Sequence, residues 1–497
     1  MAAQPDPPAS LRTIFVWALG IFMAGCAGDD SGMADAEWPL GQPDAIARLA
    51  GPLTIPPHDT DMFRNLVFST GIQDNRFIRA VDIRPGEPGV VHHAVLQIDP
   101  TTDSRQLDEA DPEPGFGGMA LGASEPPEGH FLGWTPGKIP LESPASSAWL
   151  LRGGSDFVLQ VHLPATDTTV RLAPMVGLYF SDSTPTDILS RILLANEMLD
   201  IPPGATDYIA TDAMDIPVAL EVLAAYPHAH FLGRTIEVTA QLPDESVIQL
   251  LHVADWDFGA QVEYRFDDPF LLPAGSRVTM RYRYDNSADN PLNPHDPPRR
   301  VRFGLQSTDE MASLMLQVRL ASQEDVHRLT ESQARHTLSY APRNWTAQYD
   351  LAISMFHQGR SLEAIPCLRQ TVQDRPDQVE AWGNLGVALA QTGQLAEAVV
   401  AWQRIIAIDD GDIQAHSNIG NAFMSTGRPQ TALEHYRKAA SLDPEDAILQ
   451  ARIGTALAQM DDLAGAIEAF ERAVALDPDD PGLQQALETL QNQAAGR

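Results

Sequence analysis

Five histidines and a methionine between positions 92 and 311 have the types and spacing to hold metal. Tyr226-Pro227-His228-Ala229-His230-Phe231-Leu232-Gly233 sets two imidazoles two residues apart. In a strand, residues so spaced project from one face. Imidazole suits copper, zinc, iron and nickel, so the pair alone indicates either a metal site or two structural histidines. Val91-His92-His93-Ala94-Val95-Leu96 places two more side by side in an apolar run. Neighbours on a regular strand face opposite ways, so both reach one metal only at a bulge or a strand end. Gln160-Val161-His162-Leu163-Pro164 adds a fifth histidine, and Thr308-Asp309-Glu310-Met311 is an acidic turn ending in a thioether.

Other chemistries find less support. His58, His130, His252 and His295 lie in turn-rich sequence without ligand spacing, and His327, His336, His357, His416 and His435 fall on helical repeats, where surface or groove positions are usual. The chain has no G-x-S-x-G elbow, no H-E-x-x-H and no G-x-x-x-x-G-K phosphate cradle. Its two cysteines, Cys26 and Cys367, are too few for cysteine zinc sites or a cysteine-held cluster.

The elements that would position the histidines are strands. From 41 to 322 short β-branched runs recur between Pro, Gly and Asp clusters: Phe77 to Ile83, Val90 to Ile98, Phe157 to Leu163, Thr235 to Leu242 and Arg277 to Tyr284. That texture predicts β-sandwiches rather than βαβ units, and 497 residues are too many for one core. A break near 182–200 marks the junction, giving domains at 42–190 and 191–322.

Beyond 322 the texture becomes a repeat. Gly359, Gly393 and Gly427 stand 34 apart with Asp461 in the next slot; Ala364, Ala398, Ala432 and Ala466 keep the period, as do Pro376, Asp410, Pro444 and Pro478. The pattern resembles the tetratricopeptide repeat, with four units over 345–478, a lone repeat-type helix at 323–344 and a capping helix at 479–497. Cys367 falls inside the first unit, as a small apolar core residue. Such stacks present a groove, so a protein partner is expected there.

The N-terminus reads as an export signal. Arg12 precedes an apolar run, Thr13 to Met23, that is too short to span a bilayer, followed by Ala24-Gly25-Cys26. This resembles a bacterial lipoprotein signal over 1–25, with Cys26 lipidated and a flexible tether at 26–41. Ala27 after the cysteine suits outer-membrane sorting, so the expected place is the periplasm, with membrane contact through the lipid anchor alone. With 33 basic against 67 acidic residues, the formal charge of −34 argues against nucleic acid and anionic membrane surfaces as partners.

Taken in order, His92-His93, Gln160-x-His162, His228-x-His230 followed by Leu232-Gly233, and Asp309-Glu310-Met311 resemble the copper type II, ascorbate-dependent monooxygenases, the relatives of peptidylglycine α-hydroxylating monooxygenase and dopamine β-hydroxylase. Gly133-Trp134, Trp256-Asp257-Phe258, Asp285-Asn286-Ser287 and Asn290-Pro291 extend the likeness across 42–322. The resemblance implies two jelly-roll-like sandwiches, each holding one copper, facing each other across a solvent cleft. His92, His93 and His162 would hold the electron-transfer copper, and His228, His230 and Met311 the copper that meets O2. A thioether favours Cu(I), in keeping with that assignment. Ascorbate or another donor would supply electrons, and a small organic molecule would be hydroxylated.

Gln160 would lie behind His162, and Tyr226 and Met315 would line the substrate cleft. The chain departs from the animal enzymes in lacking disulfides, in Ala312 after the methionine, in Tyr226 where the peptide-processing branch has Arg, and in Met315 where it has Tyr. Nothing in 323–497 resembles the lyase that completes amidation. Tyr226 and Met315, being uncharged, lead us to expect an apolar or aromatic substrate. A metal-binding lipoprotein without turnover, acting as a repeat-based scaffold, is the alternative expectation.

Overall fold

The computed structural model describes residues 38–86, 89–101, 103–113, 115–118 and 124–496. The export segment and Cys26 lie outside the described residues.

Many strands in several sheets precede an all-helical repeat. In the first β unit, the strand Asp156–Leu163 is buried at every position. It sits at the centre of a five-stranded sheet, flanked by Met62–Ser69 and His93–Asp99, with Phe116–Gly117 and Gly133–Trp134 at the edges. A strand covered on both faces reads as a nearly continuous apolar run, here Phe157-Val158-Leu159-Gln160-Val161-His162-Leu163. A second, four-stranded sheet orders Ala45–Arg48, Met175–Ser181, Arg76–Arg84 and Trp149–Leu151. Leu96, Leu159 and Val161 from the first sheet and Ile78, Val176 and Leu178 from the second share one apolar cluster.

The second β unit repeats the plan. Ile188–Ala195, Ser313–Leu320, Leu220–His228 and Tyr264–Leu272 form one sheet, and Tyr208–Asp215, Arg277–Tyr284, Gly233–Gln241 and Val247–Val253 the other. Their inner faces meet around Val222, Ile236, Val238, Met280 and Leu316. Every ladder between these strands is antiparallel.

Two expected boundaries shift. Ile188–Ala195 pairs along its whole length with Ser313–Leu320, so the second ladder begins before 191. The expected tether at 26–41 is also too long. Arg84 lies 3.6 Å over the Trp38 ring, and the Tyr179 hydroxyl donates to the Gly41 carbonyl, which fastens 38–41 to the first unit.

The helical part follows the repeat: Trp345–His357 and Ser361–Asp374, Val379–Gln391 and Leu395–Ile408, Ile413–Ser425 and Pro429–Leu442, Ala447–Gln459 and Leu463–Leu476, then Pro481–Ala495. Gly359, Gly393 and Gly427 turn between paired helices at φ of 73°, 80° and 69°. That left-handed region favours glycine, yet Asp461 adopts it too, at 66°. The helices of each pair cross closely enough that Ala364, Ala398, Ala432 and Ala466 are fully buried.

The helix Gln323–Tyr340 belongs to both parts. Leu329 joins the apolar core of the second β unit, while Ala334 joins that of the first repeats. Gln333 exchanges two hydrogen bonds with the main chain of Leu193, and His336 Nε2 lies 2.9 Å from Asp212. His336, expected at a surface or groove position, is a docking residue.

Candidate metal centre

His92, His93 and His162 converge at a strand end, as their spacing requires. His93 opens its strand opposite His162, and the main-chain N–H of His92 donates to the His162 carbonyl at 2.9 Å. His93 Nδ1 lies 3.1 Å from His92 Nδ1 and 3.3 Å from His162 Nδ1. Nitrogens sharing one tetrahedral ion at about 2.0–2.1 Å stand about 3.3 Å apart, so the three imidazoles fit a metal. Among the described residues, this is the group of His, Cys, Asp or Glu side chains whose ligand atoms converge, all within 4.8 Å.

The outer partners select the nitrogen each ring offers. His162 Nε2 is 3.2 Å from Asp61 Oδ2. Burial alone would raise the Asp61 carboxyl, but hydrogen bonds from His162 and Ser307 outweigh it and hold the group far below its ordinary value. An ionised carboxylate only accepts, so Nε2 carries the proton and Nδ1 keeps its lone pair. His92 packs against the Phe258 ring at 4.2 Å.

His228 closes the strand Leu220–His228, whereas His230 lies beyond its end. The pair is therefore not the regular same-face strand pair that the spacing predicts: the strand ends at His228, the chain turns at Phe231-Leu232, and the rings stand 5.1 Å apart at 85°. Gln261 Oε1 is 2.7 Å from His228 Nδ1, and the Asp309 carbonyl is 3.1 Å from His230 Nδ1. Both acceptors place the proton on Nδ1 and leave Nε2 for a metal. Glu310 is wholly buried and accepts the main-chain N–H groups of His230, Leu232 and Met311 at 2.8, 2.7 and 3.0 Å. One carboxyl thus ties the histidine turn to the Met311 turn; burial pushes it up to about 8 against the pull of those N–H groups. The Tyr284 hydroxyl donates to the Met311 carbonyl at 2.6 Å.

Desolvation lowers four of the candidate ligands, His92 to about 4 and His230 to about 3, with His93 and His228 also depressed. At neutral pH they are uncharged, the state that ligation demands.

The two histidine groups adjoin, contrary to the expected solvent cleft. His93 and His228 rings are 6.2 Å apart, and Phe258 of the second unit fills the space between His92 and His230. Tyr226 and Met315 are register partners on neighbouring strands. The Tyr226 hydroxyl donates to Glu263 at 3.0 Å, and Glu263 also takes Lys138 Nζ at 2.9 Å. Tyr226 lines a cavity of about 60 Å³ at the seam with Arg79, Asp82, Lys138, Glu263 and Arg265. Those charges stand among aromatic and aliphatic side chains, Phe131, Trp134, Ile83 and Leu132, and the space has room for a few waters. Gln160 donates to Asn65 at 3.0 Å and to the Gly118 carbonyl, so its amide nitrogen is committed away from His162.

Sequence reasoning missed Asp61, Gln261 and Lys138. Asp61 bridges His162 and, 246 residues away, the main-chain N–H of Ser307 at 2.8 Å. No local pattern announces such a contact.

The tetratricopeptide repeat family model matches residues 349–413 and 418–481. The helical part carries tetratricopeptide repeats. Among solved structures, MamA is 24% identical, covering 31% of this chain and 84% of its own, with a TM-score of 0.30. MamA 41-end from Desulfovibrio magneticus RS-1 is 22% identical over 32% of this chain and 87% of its own, at 0.29. YrrB, described as a TPR protein with an unusual peptide-binding site, is 19% identical over 34% of this chain and 84% of its own, at 0.31. No curated protein matches the chain.

Proposed function

We propose that the β region is a copper-dependent monooxygenase that hydroxylates a C–H bond of a small organic substrate with O2 and an external one-electron donor such as ascorbate. The observation that carries this reading is the convergence of His92, His93 and His162 beside His228 and His230, each group with outer partners that select its ligand nitrogens. Two coppers are assigned, one to His92, His93 and His162 and one to His228, His230 and Met311, in two jelly-roll-like sandwiches. Bound copper would supply the redox and oxygen chemistry that side chains lack.

The protein's own residues do the rest. Asp61, Gln261 and the Asp309 carbonyl hold protons on the outward nitrogens, burial keeps the imidazoles neutral, and Glu310 sets the Met311 turn against His230. Tyr226 and the cavity beside it adjoin the seam between the two units, and the substrate is assigned to that seam. Lys138 and Arg265 there are paired with Glu263, beside the aromatic Phe131, Trp134 and Tyr226, which keeps an aromatic or apolar substrate as the reading.

The repeats are read as a partner-binding groove, and the chain as an exported, outer-membrane lipoprotein anchored at Cys26. The test loads the full chain with Cu(II), removes excess and counts metal: two copper ions per chain are expected, and one after His230→Ala. A variant that still holds two overturns the assignment. The second reading, a metal-binding scaffold without turnover, is favoured by the repeats. Oxygen uptake driven by ascorbate across a panel of small substrates separates the two.

A further inference from the structure

The seam between the β units contains a chain of contacts from one histidine group to the other. Gln261 Nε2 donates to the Phe258 carbonyl at 3.1 Å, and Gln261 Oε1 faces His228 Nδ1 at 2.7 Å. A carbonyl only accepts, so the amide orientation is fixed: nitrogen toward Phe258, oxygen toward His228. The Phe258 side chain in turn is wedged against His92 at 4.2 Å and Phe231 at 4.4 Å. The first unit also grips Gln261 directly, because the Thr135 hydroxyl donates to its carbonyl at 3.0 Å.

We propose that Gln261 is a positioning residue shared by both histidine groups: its amide holds His228 with Nε2 outward and, by its bond to the Phe258 carbonyl, fixes the residue whose ring packs on His92. The inference rests on the copper reading above. Only a side chain that donates at one end and accepts at the other serves both contacts. Leucine serves neither, and an ionised glutamate accepts from His228 but has nothing to give the Phe258 carbonyl. The path makes the ligand geometry of one group depend on the other without a shared ligand.

The experiment uses the full chain loaded with Cu(II) alone. Gln261→Leu should weaken copper at His228 and His230 by about 10–100-fold in chelator competition, the usual cost of removing an outer partner. The decisive readout is the Cu(II) EPR spectrum of the His92, His93 and His162 group, compared between His230→Ala and His230→Ala/Gln261→Leu. The distant spectrum should change in the double variant. Gln261→Glu should keep second-group affinity within about threefold, since its acceptor survives, yet change the first-group spectrum as leucine does. If Gln261→Leu melts outright, Gln261→Asn, which keeps the amide but falls one methylene short, should give the same two losses.

Identical first-group spectra with and without Gln261, in a chain whose wild type holds two coppers, overturn the inference and leave the copper reading intact. A wild type that holds no copper overturns the copper reading first.

Discussion

The β region and the helical repeats use opposite means to hold a chain of this length together. In the repeats each helix packs on its sequence neighbours, and the same turn recurs at Gly359, Gly393 and Gly427. In the β region the decisive contacts are single and distant: Asp61 to His162 and Ser307, Gln261 to His228, Glu310 to the turn after His228. A repeat spreads its stability over many similar contacts, so losing one is mild. A site assembled from unrepeated contacts concentrates its cost in a few residues.

Substitutions can break or sharpen that contrast. Glu310→Ala leaves three buried main-chain donors without an acceptor, each worth about 1–3 kcal/mol, so thermal melting should show a loss of about 3–5 kcal/mol. A loss below about 1 kcal/mol would mean water satisfies those groups and the concentration of cost is illusory.

Deleting 323–497 removes Leu329 from the second unit's core and should destabilise the β region by about 2–4 kcal/mol, whereas deleting 342–497 should not. Equal melting of the two truncations would show the regions to be independent.

Asp350 sits where the first repeat faces Glu125 of the first β unit; burial first, then Glu125, raise its carboxyl to about 6 from 3.8. Between those values the folded state binds the extra proton, so its contribution to stability is full below 3.8, is lost as pH rises through about 6, and stays lost above. Asp350→Asn should therefore stabilise by about 1–2 kcal/mol at pH 7 and by little at pH 4, measured as denaturant midpoints. A gain independent of pH would assign the effect to packing. The smallest change expected is Asp461→Gly, which relieves a left-handed aspartate and should add about 0.5–1 kcal/mol to the repeats. A lower melting temperature would show that Asp461's side chain matters more than its backbone.

The same contrast explains what could be read in advance. Repeat helices, their turns and the buried alanines were legible because one period states the same contact four times. The ligand histidines were legible by type, and strand-end placement of His92 and His93 followed from the alternation of side chains. Their outer partners were not, because nothing near Asp61 or Gln261 distinguishes them from surface residues. The charges beside Tyr226 were hidden for the same reason: Lys138 and Glu263 come to that cavity from separate segments. The cleft expected between the groups is filled by one phenylalanine that packs on histidines of both units.

The helix Gln323–Tyr340 acts as a shared beam. A pull on the repeat stack passes through Leu329 and Gln333 into the edge strand Ile188–Ala195 and into Ser313–Leu320, which the helix directly follows. The strand bearing His228 is the next one in, joined to Ser313–Leu320 by a ladder from Glu221 to His228 with one bulge between Val222 and Ala224. Load therefore enters the sheet in shear, spread across two strands before it reaches the histidines. A partner seated on the repeats can tug on the β region as a body without first distorting its metal-holding turns.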